Sequence, residues 1–389
     1  AATNVALAQQ SAPADYKGME EIYVTGSRMA RGSAFASPSP IVSVDRNSIE
    51  NSGYANLQQL LEKQPFAGNG TFSTRGNNQD STANGAASIS LRGLGADATL
   101  VLVNGRRVAI SAFAESITTN FVDINSIPVS AIERIEVLKD GASAVYGSDA
   151  VAGVVNIILR DDFDGVELSA GYGATTDPSY DETRFSGVWG LSGEDSNVTM
   201  ILDYFKNSTL ANKERGYFGT ADQSPRGGED FRSSRGFPGS FIVDGVATRD
   251  PGCPPDRQAG ANCVFDYGPY NLLIPEAERT GFMLQARNGF GNGLEVFGEL
   301  ALQHNRSIAQ GAPTPIDDGA GLSVPVTHPN NPFPGASEIL IRRFRTVDAG
   351  PRIWDIETDN LRGVLGLRGK IADWKWEVSA QRARSESDQ

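Results

Sequence analysis

The sequence predicts a mixed α/β segment followed by the strands of an antiparallel transmembrane β-barrel. Three observations carry this. Up to about residue 160, short apolar strands mix with a helical Leu pattern. After Asp164, segments of about ten residues alternate apolar and polar side chains with period two, which suits strands facing lipid on one side and a lumen on the other. The connections between those segments alternate between very short and very long, as in outer-membrane barrels.

Bulk composition narrows the function. The 389 residues include 43 Gly and 20 Pro, so turns are frequent, and the formal net charge is −13. With no Lys/Arg-rich run, that balance argues against a nucleic-acid partner, whose phosphates demand a basic footprint. No run approaches the ~18 apolar residues that a spanning helix needs.

The chain opens on "AATNVALAQQ". Ala6-Leu7-Ala8 is a small-x-small site of the kind at the end of an export signal, although an Ala-rich terminus could arise without one. Residues 9–20 have the composition of a linker, so 1–19 reads as signal remnant plus linker. Then comes "EEIYVTGSR": Ile22 and Val24 alternate with Tyr23 and Thr25, preceded by Glu20 and Glu21. A strand-like island on a tether suits addition to another protein's sheet edge; it also fits an ordinary first strand of the next domain.

Within 27–160, "PIVSV" reads as a strand, and "NLQQLLEKQP" as a helix with Leu57, Leu60 and Leu61 on one side, ended by Pro65. Residues 67–88 form a long polar loop. "SISLRGLG" and "TLVLVNGRRV" read as strands, the second turning at Asn104-Gly105. Ser130 and Glu133 stand in capping-box register for one helical turn before the strand "IEVLKDG". "GASAVYGSDAVAGVVNIIL" places many small residues before an apolar strand, which calls for a wall that the backbone approaches closely.

Residues 161–389 hold about seven alternating strands. In "RFSGVWGL", Phe185, Gly187, Trp189 and Leu191 oppose Arg184, Ser186, Val188 and Gly190; in "WKWEVSAQ", Trp374, Trp376, Val378 and Ala380 oppose Lys375, Glu377, Ser379 and Gln381. Turns at 192–196, 291–293 and 371–373 alternate with a modest connection and excursions over about 209–278 and 309–353. Phe290, Trp374 and Trp376 lie beside short turns, where an interfacial aromatic girdle belongs. A soluble β-sandwich would show similar alternation, but with shorter strands and more even loops. Seven strands cannot close a barrel, and open edges do not survive in lipid, so the chain is expected to be the first part of a longer one.

"EEIYVTGSR", "ISLRGLGADATLVLVNGRRV" and "VDINSIPVSAIERIEVLKDGASAVYGSDAVAGVVNIILR" together resemble the TonB-dependent outer-membrane receptors of Gram-negative bacteria. The resemblance covers residues 20–170 by motif and the later strands by pattern alone. It implies an α+β plug domain (27–160) followed by the N-terminal strands of a 22-stranded antiparallel barrel. It implies a TonB box at 20–26 (Glu20, Glu21, Ile22, Tyr23, Val24, Thr25), located in the periplasm. TonB, energised by the inner-membrane proton gradient, would pair with the box and pull. The motif positions it carries are Arg92, Gly93, Gly105, Glu133, Glu136, Gly141, Tyr146, Gly147, Gly153 and Asn156. The small residues 141–153 would then let the plug pack against the barrel's inner face. Only about twenty residues precede the box, too few for a signalling domain.

Catalytic signals are weak. "GLGADA" (93–98) mimics a dinucleotide fingerprint but runs into a strand where a helix is needed. Asp161, Asp162 and Asp164 suit a solvated turn better than a cation site. His304 and His328 lack metal-ligand spacing, and no GxSxG elbow occurs. Neither an enzyme, a cofactor nor a metal is implied. Asn69, Phe72, Arg75, Asn77, Asn78 and Arg106 are the expected ligand-facing groups of an outer vestibule, though a mobile polar loop accounts equally for the first five. Arg92 with Glu133 or Glu136 could form plug–barrel ion pairs. If exported, Cys253 and Cys263 most simply form one disulfide. The function expected is energised import of a scarce ligand of the siderophore, oligosaccharide or cobalamin class. The rival is a passive pore or surface-binding protein with the same fold.

Overall fold

Five strands of the N-terminal domain pair in the order Ile41–Asp45, Ile132–Leu138, Gly153–Leu159, Thr99–Val103 and Arg106–Arg107. This is a computed structural model, and it describes residues 3–7, 41–68, 71, 85–115, 118–177, 180–291, 293–371 and 374–389. Only the 99–103 and 153–159 strands run parallel. Those two strands are buried along nearly their whole length, as strands covered on both faces must be. Helix Arg46–Ser52 starts where Asp45 accepts from the Ser48 amide at 2.8 Å and stops at Gly53, φ 69°. Helix Leu57–Glu62, capped by Asn56, buries Leu57, Leu60 and Leu61 against the sheet, as its spacing predicted.

The second sheet is a wall of eight antiparallel strands. Seven of them follow one another along the chain: Gly165–Ala174, Asp181–Ser192, Ser196–Asn207, Glu276–Gly289, Glu295–Gly311, Arg352–Ile371 and Trp374–Asp388. The eighth, Thr3–Leu7, pairs with the first of these, Val5 opposite Ala170, in the stretch expected to be a signal remnant. Alternation sorts the faces as predicted. Leu168, Phe185, Leu202, Leu302, Leu365 and Val378 are exposed on the outer face. Ile201, Met283, Gln303, Ser307, Arg362 and Val364 are buried on the inner one. Val188, Ile201 and Met283 merge into the core of the α+β domain, so the domain sits against the wall's concave side.

The two long excursions build one outer unit rather than two loops. Ser240–Val243, from the first, pairs with Ile339–Arg345 from the second. Cys253 and Cys263 are bonded, with Cα atoms 5.8 Å apart. Arg345, buried in this unit, donates to the carbonyls of Arg235 and Pro313 and to Ser233 Oγ, and lies over the Phe265 ring. Burial lowers its pKa to about 10.

Several expectations are corrected. "SISLRGLG" is not a strand: the Leu91 amide donates to Thr99 Oγ1 and the Ser90 amide to Thr71 Oγ1, so side chains take the place of a ladder. Ser130 and Glu133 form no capping box, because Val129–Ala131 is a 3₁₀ turn and the Ser130 hydroxyl is engaged elsewhere. The wall that the small residues approach is their own sheet, not the barrel. A Cβ on Gly153 (φ 138°) would stand 2.3 Å from the Leu138 carbonyl oxygen, and one on Gly141 3.2 Å from that of Val151.

Candidate functional site

The strand–turn–strand at 99–107 carries the domain's main polar attachment to the wall. Asn104 sits at φ 50° and Gly105 at φ 72°, the left-handed pair of a tight hairpin turn. The Asn156 side chain accepts from the Gly105 amide at 2.9 Å, and Asn104 Oδ1 accepts from the Leu159 amide at 2.9 Å, so the turn is fixed to the neighbouring strand.

From that fixed base the tip reaches the wall. Arg106 Nη1 donates to Glu299 Oε1 at 3.1 Å, and Asn104 Nδ2 donates to the same oxygen at 3.2 Å. Arg362, from the adjacent wall strand, donates to the other oxygen, Oε2, at 2.6 Å. The Glu299 side chain is 8% exposed, so one buried carboxylate answers two guanidinium groups. Arg106 also pairs with Glu377 and lies over the Phe297 ring, 4.9 Å from its centroid. Gln381 Nε2 donates to the Arg107 carbonyl at 2.5 Å. Arg107 itself pairs with Asp149, and its hydrogen bond holds that carboxyl below the usual aspartate range.

The far end of the domain is held differently. Ser130 Oγ donates to Asp203 Oδ2 at 2.8 Å. A Cβ on Gly85 would meet Ser307 Cβ at 2.8 Å, and one on Gly281 would meet Pro128 Cγ at 3.0 Å, so packing is close there. Nearby, Asp123 Oδ1 accepts from the amides of Ala87 and Asn125, each at 3.0 Å. Burial pushes the Asp123 carboxyl up, opposed by those bonds and by the facing Arg279.

Between the hairpin tip and the short-turn ends of the wall strands lies a cavity of about 1070 Å³. Asn104, Arg106, Phe297 and Glu299 meet it on one side, Lys370, Lys375 and Trp376 on the other.

Solved structures of similar shape include a mutant ferric enterobactin receptor, PfeA, from Pseudomonas aeruginosa in complex with enterobactin (15% identity, TM-score 0.44). They also include BauA, the ferric preacinetobactin receptor of Acinetobacter baumannii (11%, 0.45), and the siderophore receptor PiuA of the same organism (13%, 0.45). Each match covers 90% of this chain and 50%, 47% and 46% of those chains respectively, so the chain spans about half their length. Residues 33–154 match the model of the TonB-dependent receptor plug domain. The chain carries the plug domain of a TonB-dependent receptor. Its five-stranded sheet and helices are that plug, and the antiparallel strands after Asp164, which lie beyond the matched residues, form the wall against which it packs.

The predicted residues are distributed unevenly over this plug. The TonB box, 20–26, lies outside the described residues, as do Asn69, Phe72, Arg75, Asn77 and Asn78. Arg106 is not at an outer vestibule; Glu299 and Glu377 hold it toward the short-turn end, because the hairpin points that way. Arg92, expected to bridge to the barrel, instead donates to the carbonyls of Val151 and Ala152 inside the plug. Glu136 pairs with Arg134 of its own strand, and Glu133 is exposed. Gly93 is left-handed at φ 71°, and Gly147, at φ 90°, ends the short helix holding Tyr146. Trp374 is 80% exposed beside its short turn, as a girdle residue should be, whereas Trp376 turns against Gly369 and lines the cavity. Asp162 pairs with Arg287 at 3.2 Å, and the Ser192 amide donates to Asp164 at 3.4 Å. Sequence reasoning missed Glu299 and Arg362. Alternation puts both on the lumen side, but nothing local says that they meet each other or Arg106.

Proposed function

We propose that this chain supplies the plug and first wall strands of a TonB-dependent receptor that imports a scarce ligand across the outer membrane of a Gram-negative bacterium, driven by the inner-membrane proton gradient. The ligand class is siderophore, oligosaccharide or cobalamin. The observation that carries this reading is the plug-domain match over residues 33–154, joined directly to seven long antiparallel strands that expose apolar side chains outward. No helix among the described residues is long and apolar enough to cross a membrane, so any crossing falls to the strands.

The mechanism runs from outside to inside. Ligand binds on the long-loop side, with Asn69, Phe72, Arg75, Asn77 and Asn78 of the plug loop as contacts. Occupancy makes residues 20–26 available in the periplasm. TonB pairs with them by strand addition, in which main-chain hydrogen bonds supply the affinity. Tension then shifts or partly unfolds the plug, and the ligand passes to the periplasm. Val24→Pro removes one ladder donor at the centre of the box. Uptake of labelled ligand should fall to background while surface binding persists. Unchanged uptake in Val24→Pro cells would favour a passive pore of the same fold.

A further inference from the structure

We infer that the ligand passes along the wall strand Glu295–Gly311, where plug and wall are mismatched, and that it is a neutral, hydroxyl-rich molecule. This deepens the uptake reading above and rests on it. Every second side chain of that strand faces inward: Ser307, Asn305, Gln303, Ala301, Glu299 and Phe297. From Ser307 to Phe297 the strand runs about 34 Å. At a tilt of ~40° that matches the ~25 Å apolar band of a barrel. One end adjoins Gly85 of the plug, where an added Cβ would meet Ser307 Cβ at 2.8 Å. At the other end Glu299 and Phe297 line the cavity of about 1070 Å³.

Midway, polar wall atoms face an apolar plug surface. Gln303 Oε1, Asn305 Nδ2, Asn360 Nδ2 and Arg362 Nε are buried without a hydrogen-bond partner among the described residues. They are neighbours: Asn360 is the direct cross-strand partner of Gln303, whose Nε2 donates to Asn305 Oδ1 at 2.9 Å. The plug sets Val108, Ala109 and Ile127 against Gln303, Asn360 and Arg362, around a space of about 40 Å³, the size for water rather than ligand. Ser126 also lines that space, but its hydroxyl donates to the Asp123 carbonyl. Gly281 clears room for Gln303 Oε1, and beside it stands Pro128, which has no N–H to offer. Polar atoms buried unpaired weaken the contact that buries them. Elsewhere the contact is matched: Val188 and Ile201 share the plug core, and Ser130 answers Asp203. The plug therefore parts from the wall most readily along Gln303 and Asn360. That uncovers an amide oxygen beside amide N–H groups, and a hydroxyl, which both donates and accepts, answers each. The charges next to them, Arg106 and Arg362 against Glu299 and Glu377, are paired and balance, which suits a neutral ligand.

The full-length receptor is tested in cells, with a membrane-impermeant maleimide added outside. Cys253 and Cys263, bonded to each other, do not compete for it. Asn360→Cys and, separately, Asn305→Cys should label at least fivefold faster in energised cells than after an uncoupler. Ile201→Cys, where wall and plug share a core, should show no such rise. Maltohexaose in the medium should slow the labelling of Asn360→Cys at least threefold, citrate should not, and Gln303→Met should abolish the protection. No energised rise at either track position overturns the inference, as does an equal rise at Ile201→Cys. Absence of protection by maltohexaose overturns the ligand class. If Val24→Pro stops uptake while the track stays unlabelled, the import reading stands and only the path falls.

Discussion

Arg106 of the plug and Glu299 of the barrel wall, 193 residues apart in sequence, meet at 3.1 Å, and Arg362 binds the same carboxylate from the other side. Plug and wall are thus joined through a buried charge with two partners. Removing it leaves Arg362, 9% exposed, without its carboxylate. Glu299→Ala should cost about 3–5 kcal/mol, the range for breaking a buried ion pair from one side. Urea unfolding of the plug checks this. A loss under about 1 kcal/mol, the scale of a surface pair, would count against any holding role. The double variant Arg106→Ala/Glu299→Ala should be markedly less costly than the sum of its parts.

Gly153 tests the origin of the small-residue run. Its φ of 138° and the 2.3 Å approach of the Leu138 carbonyl leave no room for a methyl group. Gly153→Ala should lose about 2–3 kcal/mol through backbone strain and overpacking. Thermal unfolding of the purified protein would read it. Gly105→Ala, which meets nothing within 4 Å, should lose less, from its φ of 72° alone.

Asp123 sets a pH dependence whose sign follows from its burial. Its folded pKa lies above the ordinary value of 3.8, so the folded state keeps a proton that the unfolded chain has released. Stability from this group therefore rises as pH falls through the folded pKa toward 3.8, and is lost as pH rises back through it. Both amides donate to Oδ1, which an asparagine also offers. Asp123→Asn should keep the geometry and flatten that part of the pH profile, measured as unfolding midpoints between neutral and mildly acidic pH. An identical slope in both proteins would assign the dependence to other groups.

The Cys253–Cys263 bond closes a loop of sequence separation 10 in the outer unit. Reduction should destabilise that unit by about 2–3 kcal/mol and leave the plug unaffected. Limited proteolysis with and without reductant would show new cuts confined to 208–275 and 312–351.

Much of the fold was legible because its signals are local. Leu57, Leu60 and Leu61 announced a helix, Asn104-Gly105 a hairpin, and the strands after Asp164 their faces by parity. The uneven connection lengths separated barrel from sandwich without any contact information. What stayed hidden depends on partners far away in sequence. Ser130 has the right spacing to Glu133 for a capping box, yet its hydroxyl donates to Asp203 on a wall strand. Arg92 looked like an interface residue, but its guanidinium satisfies two carbonyls that the small-residue stretch leaves open. The 141–153 run did signal close backbone approach, and only the identity of the approached wall was misread. Arg106 was placed at the wrong end because a hairpin's direction within a barrel is set by tertiary packing, not by its turn residues.

The pairing of Ser240–Val243 with Ile339–Arg345 has a practical consequence for anyone raising reagents against this protein. Arg235 of the first excursion also forms a bidentate pair with Asp317 of the second, at 2.8 and 2.9 Å. The epitope offered by this unit is therefore discontinuous. Antibodies elicited by the folded protein should draw on both excursions at once, and a synthetic peptide copying either alone would present a shape that the native surface does not contain.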